Sequence, residues 1–308
     1  MALGYEGVIS VVIGANTYYA LGTGTSVPRA RSRLESSSGY GGTIKNPAIP
    51  PNTMGIGEPH NYDWEIHDGS LNFEMSKDFL TNAIKPRLFD RQVAFEALFR
   101  SRKDNVQDYK TCYWNNINFS ASEGAAVDGS MGFVALTREP YVWGDKYIDN
   151  KQGMGLLCPL DVGMPPPLNP SGLNKNPIPF WNTKVYVKPA GGGSTLHNFT
   201  NWSLDFSQEI VKFFGCTRTS PGVDPGAQAP LYLAAGPMTV TFSGSLIIDF
   251  DVAPTGFLGD NLDELKIYID TETITLKRLE STTESDDVQT GDSFVPLTVE
   301  YAAYEIAT

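Results

Sequence analysis

Apolar and polar residues alternate along most of this chain, with strict period two in many short runs bounded by Gly, Pro, Asn, Asp and Ser, which is the signature of half-buried strands. Residues 7–13 (GVISVVI) predict a first strand, the turn at Gly14, Ala15 and Asn16 follows, and residues 17–21 (TYYAL) return as the second arm of a hairpin. Further strands are predicted over 110–120, 127–136, 184–188, 203–206, 231–233, 238–252, 266–279 and 294–305. One helix is expected at 90–103, where Val93, Phe95, Leu98 and Phe99 lie between an acidic start and a basic end. A shorter helical turn is expected at 76–84, with Ser76 as cap and Pro86 as stop. The fold class is therefore mainly β: antiparallel sandwich or barrel domains with a flanking α-helix.

Two stretches interrupt the alternation. Residues 22–57 are rich in Gly, Ser, Pro and Thr and predict a long extended arm. Within it Arg29, Arg31 and Arg33 alternate, which in an extended chain places three guanidinium groups on one side. Residues 152–179 carry Pro165, Pro166 and Pro167 with further prolines and glycines, a composition that forbids regular structure. This predicts a first β domain over 1–151, a linker over 152–179 and a second β domain over 180–308. A weak repeat crosses the boundary: 115–120 (NNINFS) is similar to 201–207 (NWSLDFS), and 127–133 (VDGSMGF) to 242–248 (FSGSLII), in the same order. Duplication and chance similarity between strands both account for it.

Composition narrows the function. The 308 residues are 41% hydrophobic and 19% charged, which places the chain among folded proteins. Neither a signal-peptide pattern at residues 1–13 nor a run of roughly 18 apolar residues is seen, so a soluble compartment and no membrane partner are expected. Cys112, Cys158 and Cys216 are far apart and lack metal-ligand spacing, which fits buried thiols in a reducing cytoplasm. Sequons at Asn118, Asn198 and Asn201 carry no weight without an export signal. The net charge is −12, and between Asp249 and Glu305 there are 14 carboxylates against Lys266, Lys277 and Arg278. A surface that grips nucleic acid has the opposite sign.

The search for chemistry finds little. Residues 58–68 (EPHNYDWEIHD) place Asp63, Glu65 and His67 on one face of a strand, the pattern of a divalent-metal site or a glycosidase carboxylate pair, but no partner groups are evident. A polar strand anchored by aromatics is the reading these residues favour. His197 follows three glycines, Gly191 to Gly193, that read as a turn. No nucleophile elbow, P-loop or dinucleotide fingerprint occurs. No enzymatic activity, cofactor or metal is expected.

The hairpin at 6–21, the arm running through 29–42 (RARSRLESSSGYGG), the helix expected near 92–100 and the two similar strands around Gly129 and Gly244 together resemble the tail tube (major tail) proteins of tailed bacteriophages. That resemblance spans most of the chain and implies a structural virion protein made in the host cytoplasm. Copies would form rings, six to a ring or three where the tube domain is duplicated, stacked into a hollow tail. The implied partners are further copies, the tape measure protein, and tail terminator and baseplate or tail-tip proteins. DNA would pass through unbound.

On this reading Asp249, Asp251, Asp270 and Glu272 are expected to line the lumen, while Arg29, Arg31 and Arg33 are expected to meet carboxylates of the next ring within 280–292. The rivals are a carbohydrate- or receptor-binding β-sandwich, to which Trp64, Trp114, Trp143, Trp181 and Trp202 would contribute, and a capsid decoration protein.

Overall fold

The computed structural model describes residues 8–26, 29–33, 62–102, 105–142, 173–174, 176–213, 232–249, 261–286 and 294–307. They form fourteen strands in one hydrogen-bonded network, antiparallel at every pairing. The first half holds β1 (Val8–Ile13), β2 (Asn16–Ser26), β3 (Arg29–Arg33), β4 (Tyr62–Glu74), β5 (Phe95–Arg102), β6 (Asn105–Ser122) and β7 (Asp128–Val142). The second holds β8 (Thr183–Pro189), β9 (Thr195–His197), β10 (Phe199–Phe213), β11 (Tyr232–Asp249), β12 (Leu262–Ile269), β13 (Glu272–Asp286) and β14 (Phe294–Ala307).

Each half closes on itself. In the first, pairing runs β1, β2, β4, β7, β6, β5 and back to β1, a six-stranded barrel. In the second it runs β8, β12, β13, β14, β11, β10, and the circuit returns to β8 through β9, which only Asn198 separates from β10. The two circuits match strand for strand in chain order, with β1, β2, β4, β5, β6 and β7 set against β8, β9 with β10, β11, β12, β13 and β14. The barrels thus share one circuit and one order of connections.

Their junction is the antiparallel pairing of β6 with β10, from Ser122↔Asn201 to Asn116↔Ser207. Its middle pair is Phe119↔Leu204, and the first piece of the sequence repeat faces itself across this ladder, with Asn118 opposite Asp205. The second does not keep step: Phe119 pairs with Gly129, whereas its counterpart Phe206 pairs with Val240 and not Gly244, four residues away. Both glycines nevertheless do the same job. A Cβ on Gly129 would lie 2.4 Å from the Phe73 ring, and one on Gly244 2.6 Å from Phe199, so each glycine leaves room for an aromatic ring inside its barrel.

β6 serves two neighbours on one edge, β5 as far as Cys112 and β10 from Asn116. At the fork the Trp114 carbonyl takes its hydrogen bond from the Gln208 side chain (2.5 Å), and the Trp114 indole donates to the Arg87 carbonyl (3.1 Å). Past a register shift at Gln208/Ile210, the far end of the β10–β11 hairpin packs Leu233 and Ile210 on Val134, Tyr113 and Leu136 of the first barrel. A single hydrophobic core, including Phe73, Trp114, Phe133, Trp202, Phe242 and Tyr301, runs through both barrels.

Several expectations are corrected. The helix is not at 90–103, where β5 alternates buried Phe95, Ala97 and Phe99. It lies at 77–89 as α1 (Lys77–Phe79), a π-helical turn (Leu80–Ile84) and α2 (Lys85–Phe89), and buries Phe79, Leu80, Ala83, Ile84 and Leu88. Ser76 precedes it without a side-chain cap, and Pro86 sits in the first turn of α2, where its missing N–H costs nothing. The expected arm is strand from Gly22 to Ser26 and again in β3, and its remainder at 34–57 lies outside the described residues. The run at 266–279 is two strands joined at Asp270 and Thr271, and the described parts of the runs expected at 231–233 and 238–252 belong to one strand, β11.

Most of the expected linker lies outside the described residues. Its end is stitched to the first barrel: Val127 N–H donates to the Ile178 carbonyl and Ile178 N–H to Met75, both at 2.8 Å. No helix among the described residues is long and apolar enough to cross a membrane.

Gly129→Ala and Gly244→Ala should each cost about 1–3 kcal/mol through overpacking. Gly193→Ala, with nothing within 4 Å of the added carbon, should leave the melting temperature unchanged. Equal melting of all three variants by circular dichroism would contradict the packing described.

Candidate assembly surface

The outward side chains of β7, β6, β10, β11 and β14 form one face that crosses both barrels. Period two sends Ile117, Phe119, Trp202, Leu204, Phe206, Phe242, Leu246 and Val299 into the core, so their neighbours must face out. The register aligns those neighbours in rows. One row runs Asp128, Ser120, Ser203, Ser243, Glu300; the next Ser130, Asn118, Asp205, Thr241, Ala302; a third Ser122, Asn201, Ser245, Thr298.

Short side chains at every step keep the face flat. Hydroxyls and amides tie the strands together: Ser203 and Ser243 Oγ atoms are 2.7 Å apart, Ser245 Oγ and Thr298 Oγ1 3.0 Å, and Asn116 Nδ2 donates to Asp205 Oδ1 at 2.7 Å. The charged positions in these rows are Asp128, Asp205 and Glu300, and none is Lys or Arg. Five strands give a wall roughly 19 Å wide across its four inter-strand gaps. Ile247, 56% exposed and paired with Pro296, is an apolar step toward one end of the wall.

Of the residues singled out from sequence, Asp249 is the last residue of β11, two beyond Ile247, and pairs with Phe294, whereas Asp251 lies outside the described residues. Asp270 and Glu272 are not on the wall but at the β12–β13 turn against the helix. Asp270, at φ 55°, is a turn residue whose carboxylate lies 3.5 Å from Lys77 Nζ. Glu272 accepts from Lys85 Nζ at 2.6 Å and from Thr81 Oγ1 at 2.9 Å. These carboxylates clasp the second barrel to the helix of the first. Arg91 and Gln92 extend the clasp, donating to the carbonyls of Gly236 (3.0 Å) and Ala235 (3.3 Å).

Arg29, Arg31 and Arg33 sit on β3, which among the described residues pairs with β4 alone, Arg29 opposite His67 and Arg31 opposite Glu65. A register shift between Ser32 and Arg33 breaks the alternation expected for the third arginine. The acceptor segment proposed for them is strand as far as Asp286 and lies outside the described residues from 287 to 292.

The stretch considered for metal binding is strand from Tyr62 onward, and His60 lies outside the described residues. Among the described residues no three His, Cys, Asp or Glu side chains are grouped to hold a metal. Cys112 is buried, and burial pushes its thiol pKa well up, the property of an unreactive core thiol; Cys158 and Cys216 lie outside the described residues. Partial burial lowers the His197 pKa, and desolvation, against the opposing charge of Lys212, raises that of Asp68. Trp114 and Trp202 are core residues and Trp181 is 74% exposed; Trp64 lies on β4 and Trp143 outside the described residues.

No protein-family model matches this chain. No curated protein matches it either. Among solved structures it is similar to a chain from the tail of an empty GTA particle with C6 symmetry, at 10% identity and a TM-score of 0.30, over 41% of this chain and 95% of that one. A score of that size does not establish a common fold.

The clasp yields a pH signature. Its hydrogen bond from Lys85, together with that from Thr81, holds the Glu272 carboxyl below the ordinary glutamate range. A depressed folded pKa contributes stability above the unfolded value, about 4.3, and that stability is lost as pH falls through the folded value. Glu272→Gln should therefore cost about 1–2 kcal/mol at neutral pH, and the gap from wild type should close below about pH 4. A pH-independent difference in urea midpoints would count against the ion pair as its source.

Proposed function

We propose that this chain is a structural protein of a phage virion, whose copies self-assemble into stacked rings that form the hollow tail tube and conduct DNA during ejection. The observation that carries this reading is the wall on β7, β6, β10, β11 and β14: flat, hydroxyl-lined, acidic and without cations at the positions named above. DNA adheres to proteins through Lys and Arg that displace its counterions, so a surface lacking them offers a passing polyanion no place to stop. Short hydroxyl and amide side chains, already bonded across strands, add little friction and few unsatisfied groups. A tube wall needs these properties, whereas an enzyme needs a cleft with perturbed titratable groups.

The tape measure protein would occupy the bore before DNA does, and terminator and baseplate or tail-tip proteins would close the ends. The reading gives the chain no catalytic role and no cofactor. Localisation is then the virion tail after assembly in the host cytoplasm.

The β6–β10 junction also bears on ring symmetry. Matched in chain order, β6 corresponds to β13 and β10 to β2, so the junction pairs unlike strands of two equivalent barrels. A contact between unlike edges is the kind that successive positions of a ring make, and it supports a ring of three chains with two barrels each.

Negative-stain microscopy of concentrated purified protein tests this directly. Tubes of uniform bore are expected; isolated compact particles at every concentration would sink the reading. The wall has its own test. Ser203→Lys with Ser243→Lys should leave tube formation intact and make the tubes retain DNA in a salt-dependent manner. Tubes that ignore DNA equally with and without the lysines would show that this face does not line the bore.

A further inference from the structure

The second barrel carries a face of opposite character across from the wall, on β8, β12 and β13. Registers place Lys184, Tyr268 and Thr273 in one row, Tyr186, Lys266 and Thr275 in the next, and Lys188, Glu264 and Lys277 in the third. Their sequence neighbours Val185, Val187, Leu265, Ile267, Ile274 and Leu276 are buried, which places these rows on the outer side of the strands, although Thr275 among them is itself covered, at 7% exposure. Residues 155–308 contain eight cationic side chains, and four of them stand on this patch.

The single carboxylate within it, Glu264, is taken by Lys266 at 2.8 Å, and Asp263 beside it stands 4.0 Å from Lys188. Lys184 and Lys277 have no ion pair among the described residues. Tyr186 and Tyr268 meet edge to face, with ring centroids 5.4 Å apart, and Leu196, 44% exposed, flanks Tyr186. Cations around a small aromatic centre make a docking surface for an anionic partner.

We infer that this lysine–tyrosine face binds carboxylates of a second copy of the chain, outside the wall, and so forms an interface of the assembly. The inference rests on the self-assembly reading above. Charge complementarity selects the occupant. Every copy carries −12 overall, so copies brought together repel unless a local cationic surface meets acid. Concentrating half of this half-chain's cations on one face supplies that contact.

The test is assembly of the full chain, followed by sedimentation velocity and microscopy, in wild type, in Lys184→Glu/Lys188→Glu/Lys277→Glu, and in the matching triple arginine variant. The glutamate variant should fold with an unchanged melting temperature and need about tenfold or more protein to assemble, while the arginine variant assembles like wild type. High salt should weaken wild-type assembly and have less effect on what the glutamate variant forms.

If wild type forms tubes and the glutamate variant forms them equally well, this interface is wrong and the tube reading stands. If wild type never assembles, both fall. A fluorescent single-stranded oligonucleotide serves as the control ligand: binding that the glutamate variant loses, with assembly unaffected, would overturn the inference in favour of a nucleic-acid site.

Discussion

Everything in this molecule is arranged around one strand pair. β6 and β10 each belong to a barrel and also pair with one another, so the backbone ladder is continuous from one barrel into the next. Such a junction must solve a hydrogen-bonding problem, because a strand that changes neighbours leaves polar groups stranded at the fork. The Gln208 amide solves it at Trp114. The Trp114 indole in turn holds the Arg87 carbonyl, tying the fork to the helix that crosses between the barrels. Burial of Trp114 and Gln208 makes these bonds matter, since either group left unpaired there would bear its full desolvation cost.

The helical segment joins β4 to β5, whose chain-order counterparts in the second barrel are β11 and β12. It acts as a strut between the barrels, and the contacts made from it and from Arg91 just beyond it with the β12–β13 turn and with β11 are ion pairs and hydrogen bonds to carbonyls. Backbone pairing at one place and polar side-chain ties at another hold the barrels together. The second set responds to pH, whereas the first does not.

Strand positions were largely legible because alternation with β-branched and aromatic residues is a local property. The helix was misplaced for an equally local reason. In 90–103 the true buried set is Phe95, Ala97 and Phe99, and the small Ala97 hid the period of two while Val93 and Leu98 imitated a helical stripe. At 77–89 the helical spacing of Phe79, Leu80, Ala83, Ile84 and Leu88 was present, but Pro86 was read as a stop and not as a first-turn residue. Asp270 and Glu272 were expected in the lumen wall, and their ion pairs with the helix were not legible, since Lys77 and Lys85 lie nearly two hundred residues away in sequence. The wall was out of reach for a related reason. Each Ser or Thr could be assigned to the wet side of its own strand, but only register across β6 and β10 shows that the wet sides of both barrels form one surface.

That surface and the junction constrain one another. A flat face needs strands in step with short side chains outward, and the junction meets this by pairing Asn118 with Asp205, both small and polar. A large or cationic residue at either position would disturb the wall and the seam together. The seam joins β6 to β10, the counterpart of β2, so it pairs unlike edges of two equivalent barrels. A unit whose joined edges are unlike has a definite direction, and contacts of that heterologous kind repeat, closing into rings or extending into polymers.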